Sequence, residues 1–157
     1  MTTMTDTELL RGLEADAALR IEALGFEILL REGAVLFTLG SPAEELFLID
    51  TGRIALTLPV QFEGREVDLL VEEKTAGQMV GWSALIPPHR FTLKATAPVE
   101  ARLFAFPRAA LLDHFSAHPD VAHIVTRNIA RIVGQRLQVF QAMWLRQMQR
   151  LLELHAA

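Results

Sequence analysis

The hydrophobic pattern of this chain changes once, and the change separates two kinds of structure. Between residues 26 and 106, apolar side chains alternate over short runs that are separated by glycine and proline, which is typical of β-strands. From Val121 to Leu154 there is no proline, and only Gly134 interrupts a helical pattern. A helix of that length would extend roughly 50 Å at about 1.5 Å per residue. The sequence therefore predicts a β domain followed by helices, one of them long.

The β domain has the turn spacing of a sandwich. Two strands are joined at Thr51-Gly52, with leucine and isoleucine at every second position on either side. Further strands are predicted over 65–71 and over 100–106, where Pro107 ends the pattern because it has no backbone N–H. Eight or so short strands predict a mainly β fold, a double-stranded β-helix of the cupin-like jelly-roll type, with flanking helices.

A helical segment is predicted ahead of the first strand. Asp6 or Thr7 is placed to cap a helix that includes Leu9 and Leu10, and a second apolar pattern ends at Gly25, a plausible residue just beyond a helix. The segment is therefore expected to contain two short helices or one broken helix.

Two helices are predicted after the last strand. The first begins near Arg108 and ends at His118-Pro119, and Asp120 is placed to cap the second, long helix. We expect a single domain in three parts: an N-terminal helical segment (1–25), a β-sandwich (26–107) and C-terminal helices (108–157).

One face of the long helix carries an apolar stripe with the three- and four-residue spacing of a coiled-coil seam. A small sandwich offers too little surface to bury such a stripe, so we predict a symmetric homodimer through this helix. The predicted interface consists of Val133, Leu137, Phe140, Trp144, Met148 and Leu151.

The long helix is also basic. Its arginines are opposed only by Glu153 after the capping Asp120, which indicates either a face that binds a partner or, as we interpret it, a solvated face. The arginines are Arg127, Arg131, Arg136, Arg146 and Arg150.

Composition excludes several classes of function. The chain has no cysteine, so disulfides and thiolate metal sites are excluded. A net charge of −4 gives no general attraction to nucleic acid, whose binding depends on clustered lysine and arginine. No apolar run is long enough to cross a bilayer, and the first residues include acids instead of an apolar signal segment. We therefore expect a cytoplasmic protein with no membrane contact and no direct binding to nucleic acid.

Known catalytic signatures are missing from the sequence. It contains no Gly-x-Ser-x-Gly elbow, no Walker loop and no His-Glu-x-x-His. A metal enzyme on a cupin-like barrel needs inward-facing histidines, yet His89 is the only histidine between residues 26 and 106. His114, His118 and His123 lie close in sequence, but no further ligand completes a set, so we interpret them as solvated. We predict a protein that is not an enzyme and has no metal site.

The stretch from Gly77 to Ala97 is the clearest indication of a ligand site. It reads as a strand that ends at Gly81, one helical turn over 82–86, a loop with two prolines, and a second strand beginning near Phe91. Such a turn exposes backbone N–H groups, and glycine has no Cβ to keep a ligand at a distance. The stretch therefore predicts a site for an anion.

This layout resembles the phosphate-binding cassette of cyclic nucleotide-binding domains, found in CRP/FNR regulators and in cyclic-nucleotide-dependent kinases and channels. The family cassette runs Gly-Glu-x-Ala-Leu, then a short loop, then Arg-Ser-Ala-Thr-Val-x-Ala. The segment that contains Thr51-Gly52 is similar to a second family signature, Leu-Tyr-x-Ile-x-x-Gly-x-Val, and the resemblance covers residues 26–151. The cassette residues that keep the family frame are Gly81, Ala84, Leu85, Thr92, Leu93 and Ala95.

Both residues that anchor the nucleotide in the family are different here. The family's glutamate accepts hydrogen bonds from the ribose, but Trp82 stands in its place, and an indole N–H only donates. With the strand aligned on Thr92, the family's phosphate-binding arginine falls on His89, and Arg90 comes one residue later. Successive strand residues face opposite sides of the sheet, so an offset of one residue would place Arg90 on the other side from the family's arginine. The resemblance therefore implies weak or absent binding of cAMP and cGMP.

Each candidate ligand residue has a structural alternative. Trp82 either lies over a ligand or fills the pocket, and Ser83 either helps to bind an anion or only caps the turn. Arg90 either offers its guanidinium to a phosphate or carboxylate or is an exposed loop residue, and His89 either assists it, ligates haem iron or does neither. The predicted ligand-binding set is Gly81, Trp82, Ser83, Ala84, His89, Arg90 and Thr92.

Three functions remain open from the sequence. The first is a non-catalytic sensor that takes a cyclic nucleotide or another anionic or apolar small molecule and passes the change through its long helix to another protein. The second is a ligand-free interaction or scaffold module with a sealed pocket. The third, a haem-binding sensor, rests on histidines alone. In CRP-type proteins the equivalent helix leads into a winged helix-turn-helix domain, and because this chain ends at Ala157 we expect no such domain.

Overall fold

Antiparallel strands form the centre of the molecule, as the alternating pattern predicts. In a computed structural model, which describes residues 4–157, eight strands lie in two four-stranded sheets that contribute to one buried core. The sheet orders, β1-β8-β3-β6 and β2-β7-β4-β5, confirm the jelly-roll sandwich. The strands are β1 (Phe26–Leu30), β2 (Val35–Phe37), β3 (Glu45–Thr51), β4 (Arg53–Phe62), β5 (Arg65–Thr75), β6 (Met79–Val80), β7 (Lys94–Thr96) and β8 (Ala101–Pro107).

Helices flank the sandwich at both ends, and the long C-terminal helix is confirmed. They are α1 (Ala15–Glu22), α2 (Arg108–Ala117) and α3 (Pro119–Ala156). The prediction that Asp120 caps the long helix was wrong. His118 occupies the N-cap position and Pro119 the first helical position, where a missing N–H has no intrahelical partner to lose. No helix in the described part of the chain combines the length and apolar character needed to span a bilayer.

The predicted helix through Leu9 and Leu10 does not form. A 3₁₀ turn over Met4–Asp6 and a series of further turns lead to α1, and the Thr7 hydroxyl bonds back to the 3₁₀ turn instead of capping a helix. Gly12 has a φ of 91°, which a helix does not allow. Both leucines are fully buried in this irregular path. Core packing therefore overrides their helical spacing here.

The segment between β6 and β7 crosses from one sheet to the other. β6 pairs with β3, whereas β7 pairs with β2 and β4 of the opposite sheet. The strand that the sequence placed near Phe91 begins later, at Lys94, because the chain first forms only an isolated bridge between Arg90 and Pro42. The turn after β6 lies within this crossing, and it lines one hollow together with a residue of α3.

Asn128 fastens α3 to the N-terminal segment. Its side chain is fully buried, and its Nδ2 donates to the carbonyl oxygens of Leu9 at 2.8 Å and Arg11 at 2.9 Å. Its Oδ1 accepts from Nη2 of Arg131 at 2.8 Å. The irregular N-terminal backbone thus obtains from a helix side chain the hydrogen bonds that it does not make as a helix.

Replacing Asn128 with alanine is expected to lower the free energy of unfolding by about 1–3 kcal/mol, because two carbonyl oxygens lose their donor. Urea denaturation measures the change. Gln135→Ala, at an exposed position of the same helix, is the control and should stay within about 0.5 kcal/mol of the wild type. An equally small effect for Asn128→Ala would contradict the proposed anchor.

Candidate functional site

The turn after β6 has the glycine-led form that the sequence predicts. Gly81 lies in the left-handed region with a φ of 83°, and the 3₁₀ turn Trp82–Ala84 follows directly. A Cβ on Gly81 would lie 3.3 Å from the carbonyl oxygen of Glu45 and 3.3 Å from the ring of Phe91. Glycine is therefore favoured here by the backbone angle and by close packing, whether or not a ligand binds.

The hollow behind this turn is almost filled by side chains. Its volume is about 10 Å³, which is room for about one water molecule. The rings of Phe37 and Phe91 stack with 3.8 Å between centroids and 5° between planes, and both line the hollow with Leu56 and Leu93. Trp82 is half-buried at its edge and packs against the core. This hollow is much smaller than a nucleotide.

Two basic residues that the sequence suggested for a ligand, His89 and Arg90, do not line the hollow. Arg90 is exposed, and its Nη1 donates to the carbonyl oxygen of Gly40 at 2.9 Å. Nδ1 of His89 lies 3.4 Å from the carbonyl oxygen of Ser83. Of the predicted set, the structure brings together at the hollow only Gly81, Trp82, Ser83 and Thr92.

The guanidinium that lines the hollow belongs to Arg136 of α3. The interpretation of this residue as part of a solvated face was wrong, since it is only 7% exposed. Its Nε donates to Oε1 of Glu72 on β5 at 2.6 Å, and Nζ of Lys74 lies 3.5 Å from the same oxygen. Two cations from different elements therefore share one carboxylate beside the cassette turn.

The spacing of apolar residues contains an indication of this contact that the sequence analysis missed. The buried residues of the first half of α3 recur every three or four positions, and Arg136 lies four positions beyond Ile132 in the same stripe. A charged residue in phase with a buried stripe needs a partner. Glu72 and Lys74, two positions apart, lie on one face of a strand and supply it.

The interpretation of the histidines as solvated was wrong for two of the three. His123 is exposed, but the rings of His114 and His118 stack with 4.3 Å between centroids, and Nε2 of His114 is buried with no hydrogen-bond partner in residues 4–157. Burial lowers the pKa of His114, the charges of His118 and Arg20 lower it further, and Asp113 opposes them. No three potential metal ligands of the His, Cys, Asp or Glu type converge among these residues.

Stability is expected to fall as the pH drops below the ordinary histidine value of 6.5, because the unfolded chain then binds a proton at His114 more readily than the folded chain does. The contribution of neutral His114 to stability is present above about pH 6.5. It is lost as the pH falls toward the lower pKa of His114 in the folded state. Urea midpoints at about pH 7.5 and about pH 5.5 measure it. His114→Gln should show a smaller difference between the two, while His123→Gln should keep the wild-type difference. An unchanged difference in His114→Gln would contradict this assignment.

Comparison with known proteins relates the chain to one family of domains. A family model described as the cyclic nucleotide-binding domain matches residues 27–118. The N-terminal domain of a transcriptional regulator from Streptomyces coelicolor A3(2) is 24% identical with a TM-score of 0.71, over 88% of this chain and 95% of that one. The Catabolite Activator Protein of Thermus thermophilus is 21% identical with a TM-score of 0.72, over 91% of this chain and 63% of that one. At these identities the two structures show a shared fold.

A longer protein also matches in sequence. Glutaminase 1 from Bradyrhizobium diazoefficiens is 30% identical over 141 residues, which are 90% of this chain. The chain spans only 22% of the length of that protein.

Proposed function

We propose that this chain, which belongs to the cyclic nucleotide-binding domain family, is a non-catalytic regulatory module that does not bind cAMP or cGMP and that acts as a homodimer through α3. The family match and the fold support a regulatory role. The observation that carries the loss of nucleotide binding is the filled hollow behind Gly81, about 10 Å³ in volume. Output passes through α3 to another protein.

The site lacks three features that the binding of a cyclic nucleotide needs. The rings and leucines around the hollow leave no space for a base. Trp82 offers only a donor where the family's glutamate accepts from the ribose. The guanidinium of Arg90 is bonded to a backbone carbonyl, and that of Arg136 is paired with Glu72, so neither is free to receive a phosphate without losing a partner.

The second half of α3 supports the dimer. Val133 and Phe140 are partly buried against the core, but Leu137, Trp144 and Leu151 of the same stripe are 68%, 61% and 47% exposed. A contiguous apolar stripe left open to water favours association, and a second copy of the same helix offers the matching surface about a two-fold axis.

Titration calorimetry tests the loss of nucleotide binding. We expect no saturable heat with cAMP or cGMP up to about 1 mM, which corresponds to a binding free energy weaker than about −4 kcal/mol. Thermal unfolding with the same nucleotides should show no shift in midpoint, since a ligand that binds only the folded state must raise it. A dissociation constant in the micromolar range for either nucleotide would contradict the proposal.

Sedimentation velocity tests the dimer. The wild-type chain of 17.5 kDa should sediment as a dimer, and Trp144→Glu should shift it toward monomer by placing a charge in the apolar stripe. Gln138→Glu adds the same charge at an exposed position outside the stripe and should remain dimeric. A wild-type monomer at about 50 μM, well above the concentrations at which stable dimers dissociate, would refute the proposed assembly.

A further inference from the structure

We propose that Arg136, Lys74 and Glu72 form a binding site for a compact oxyanion, in which the Glu72 carboxylate occupies the position of a ligand's phosphate or carboxylate group. The inference rests on the proposed function, because it names an effector class for the same regulatory module. The cation that recognises the ligand then belongs to α3 and not to the cassette loop.

The charge balance of the cluster favours an anion. Arg136 and Lys74 approach the same oxygen of Glu72, at 2.6 Å and 3.5 Å, so two positive charges share one negative charge. Both cations are buried. Burying an excess positive charge costs free energy. An anion that reaches this charge therefore binds with a more favourable free energy than it would at an exposed arginine.

Two residues that line the hollow also have unused donors. Only Nε of the Arg136 guanidinium is hydrogen-bonded within residues 4–157, and a guanidinium carries five N–H donors. Ser83, which is 4% exposed, lines the same hollow, and its hydroxyl makes no hydrogen bond in the described chain. A hydroxyl and a guanidinium with open donors, on two buried residues, are groups that bind oxyanions in proteins.

The size of the hollow determines how such a ligand enters. A cavity of about 10 Å³ admits one water-sized particle, so a phosphate reaches the guanidinium only if the Glu72 carboxylate moves away. Glu72 belongs to β5 and Arg136 to α3, so this exchange breaks the ion pair that joins the helix to the sheet. Ligand occupancy is thereby converted into a change in the attachment of α3.

The test uses the full chain and inorganic phosphate, titrated by calorimetry at constant ionic strength. Glu72→Gln keeps the shape of the side chain but removes the competing charge, so it should bind phosphate roughly tenfold or more tightly than the wild type. Arg136→Met should lose binding, and Arg150→Met, an exposed arginine on the same helix, should keep the wild-type affinity. Equal phosphate affinity in the wild type, Glu72→Gln and Arg136→Met would overturn the inference.

A second measurement does not depend on the variants folding. Hydrogen exchange of the wild-type backbone over residues 133–140 should become faster in phosphate than in chloride of equal ionic strength, since chloride has no paired oxygens to accept from a guanidinium. Unchanged exchange in phosphate would count against the inference.

Two controls separate failure of this inference from failure of the proposed function. Sedimentation of the same samples reports whether the dimer persists, and addition of cAMP reports whether a nucleotide displaces the phosphate. A dimer that binds neither phosphate nor cAMP would contradict only the proposed anion site. Displacement of phosphate by cAMP would overturn the proposed function.

Discussion

A buried charge contact joins the long helix to the sandwich beside the cassette turn. Arg136 projects from α3 to the edge of the hollow, where it would be a desolvated charge without Glu72 on β5. The contact joins α3 to β5 beside the turn that follows β6. The stacked rings of Phe37 and Phe91 and the half-buried Trp82 then fill the remaining space. Electrostatic pairing and apolar packing thus close the same site from two sides.

The family frame of the cassette persists because the fold itself requires it. Gly81 is fixed by its left-handed backbone and by the approach of Glu45 and Phe91, and the matching Ala84, Leu93 and Ala95 are buried in the core. None of these four residues needs a ligand to explain its identity. The shape of the cassette backbone is therefore explained by packing, and by itself it is poor evidence for nucleotide binding.

Local pattern predicted most of the architecture and little of the site. Alternating apolar residues predicted the strands, and the proline-free stretch predicted α3, because both kinds of element follow from the periodicity of neighbouring residues. The path through Leu9 and Leu10 was missed because burial among distant elements decides it. Arg136 was missed for a similar reason, since its partner Glu72 lies 64 residues away in sequence and comes close only after folding. The basic residues of the cassette itself, His89 and Arg90, instead lie within hydrogen-bonding distance of the backbone carbonyls of Ser83 and Gly40.

The coupling free energy between Arg136 and Glu72 is the most direct measure of whether this contact fastens α3. Urea unfolding of Arg136→Met, Glu72→Gln and the double variant gives it as a double-mutant cycle. Each single substitution should destabilise the chain, and the double variant should be less destabilised than the sum of the two, by about 1–3 kcal/mol. Additive effects within about 0.5 kcal/mol would show that the two residues act independently and would contradict a helix held to the sandwich by this ion pair.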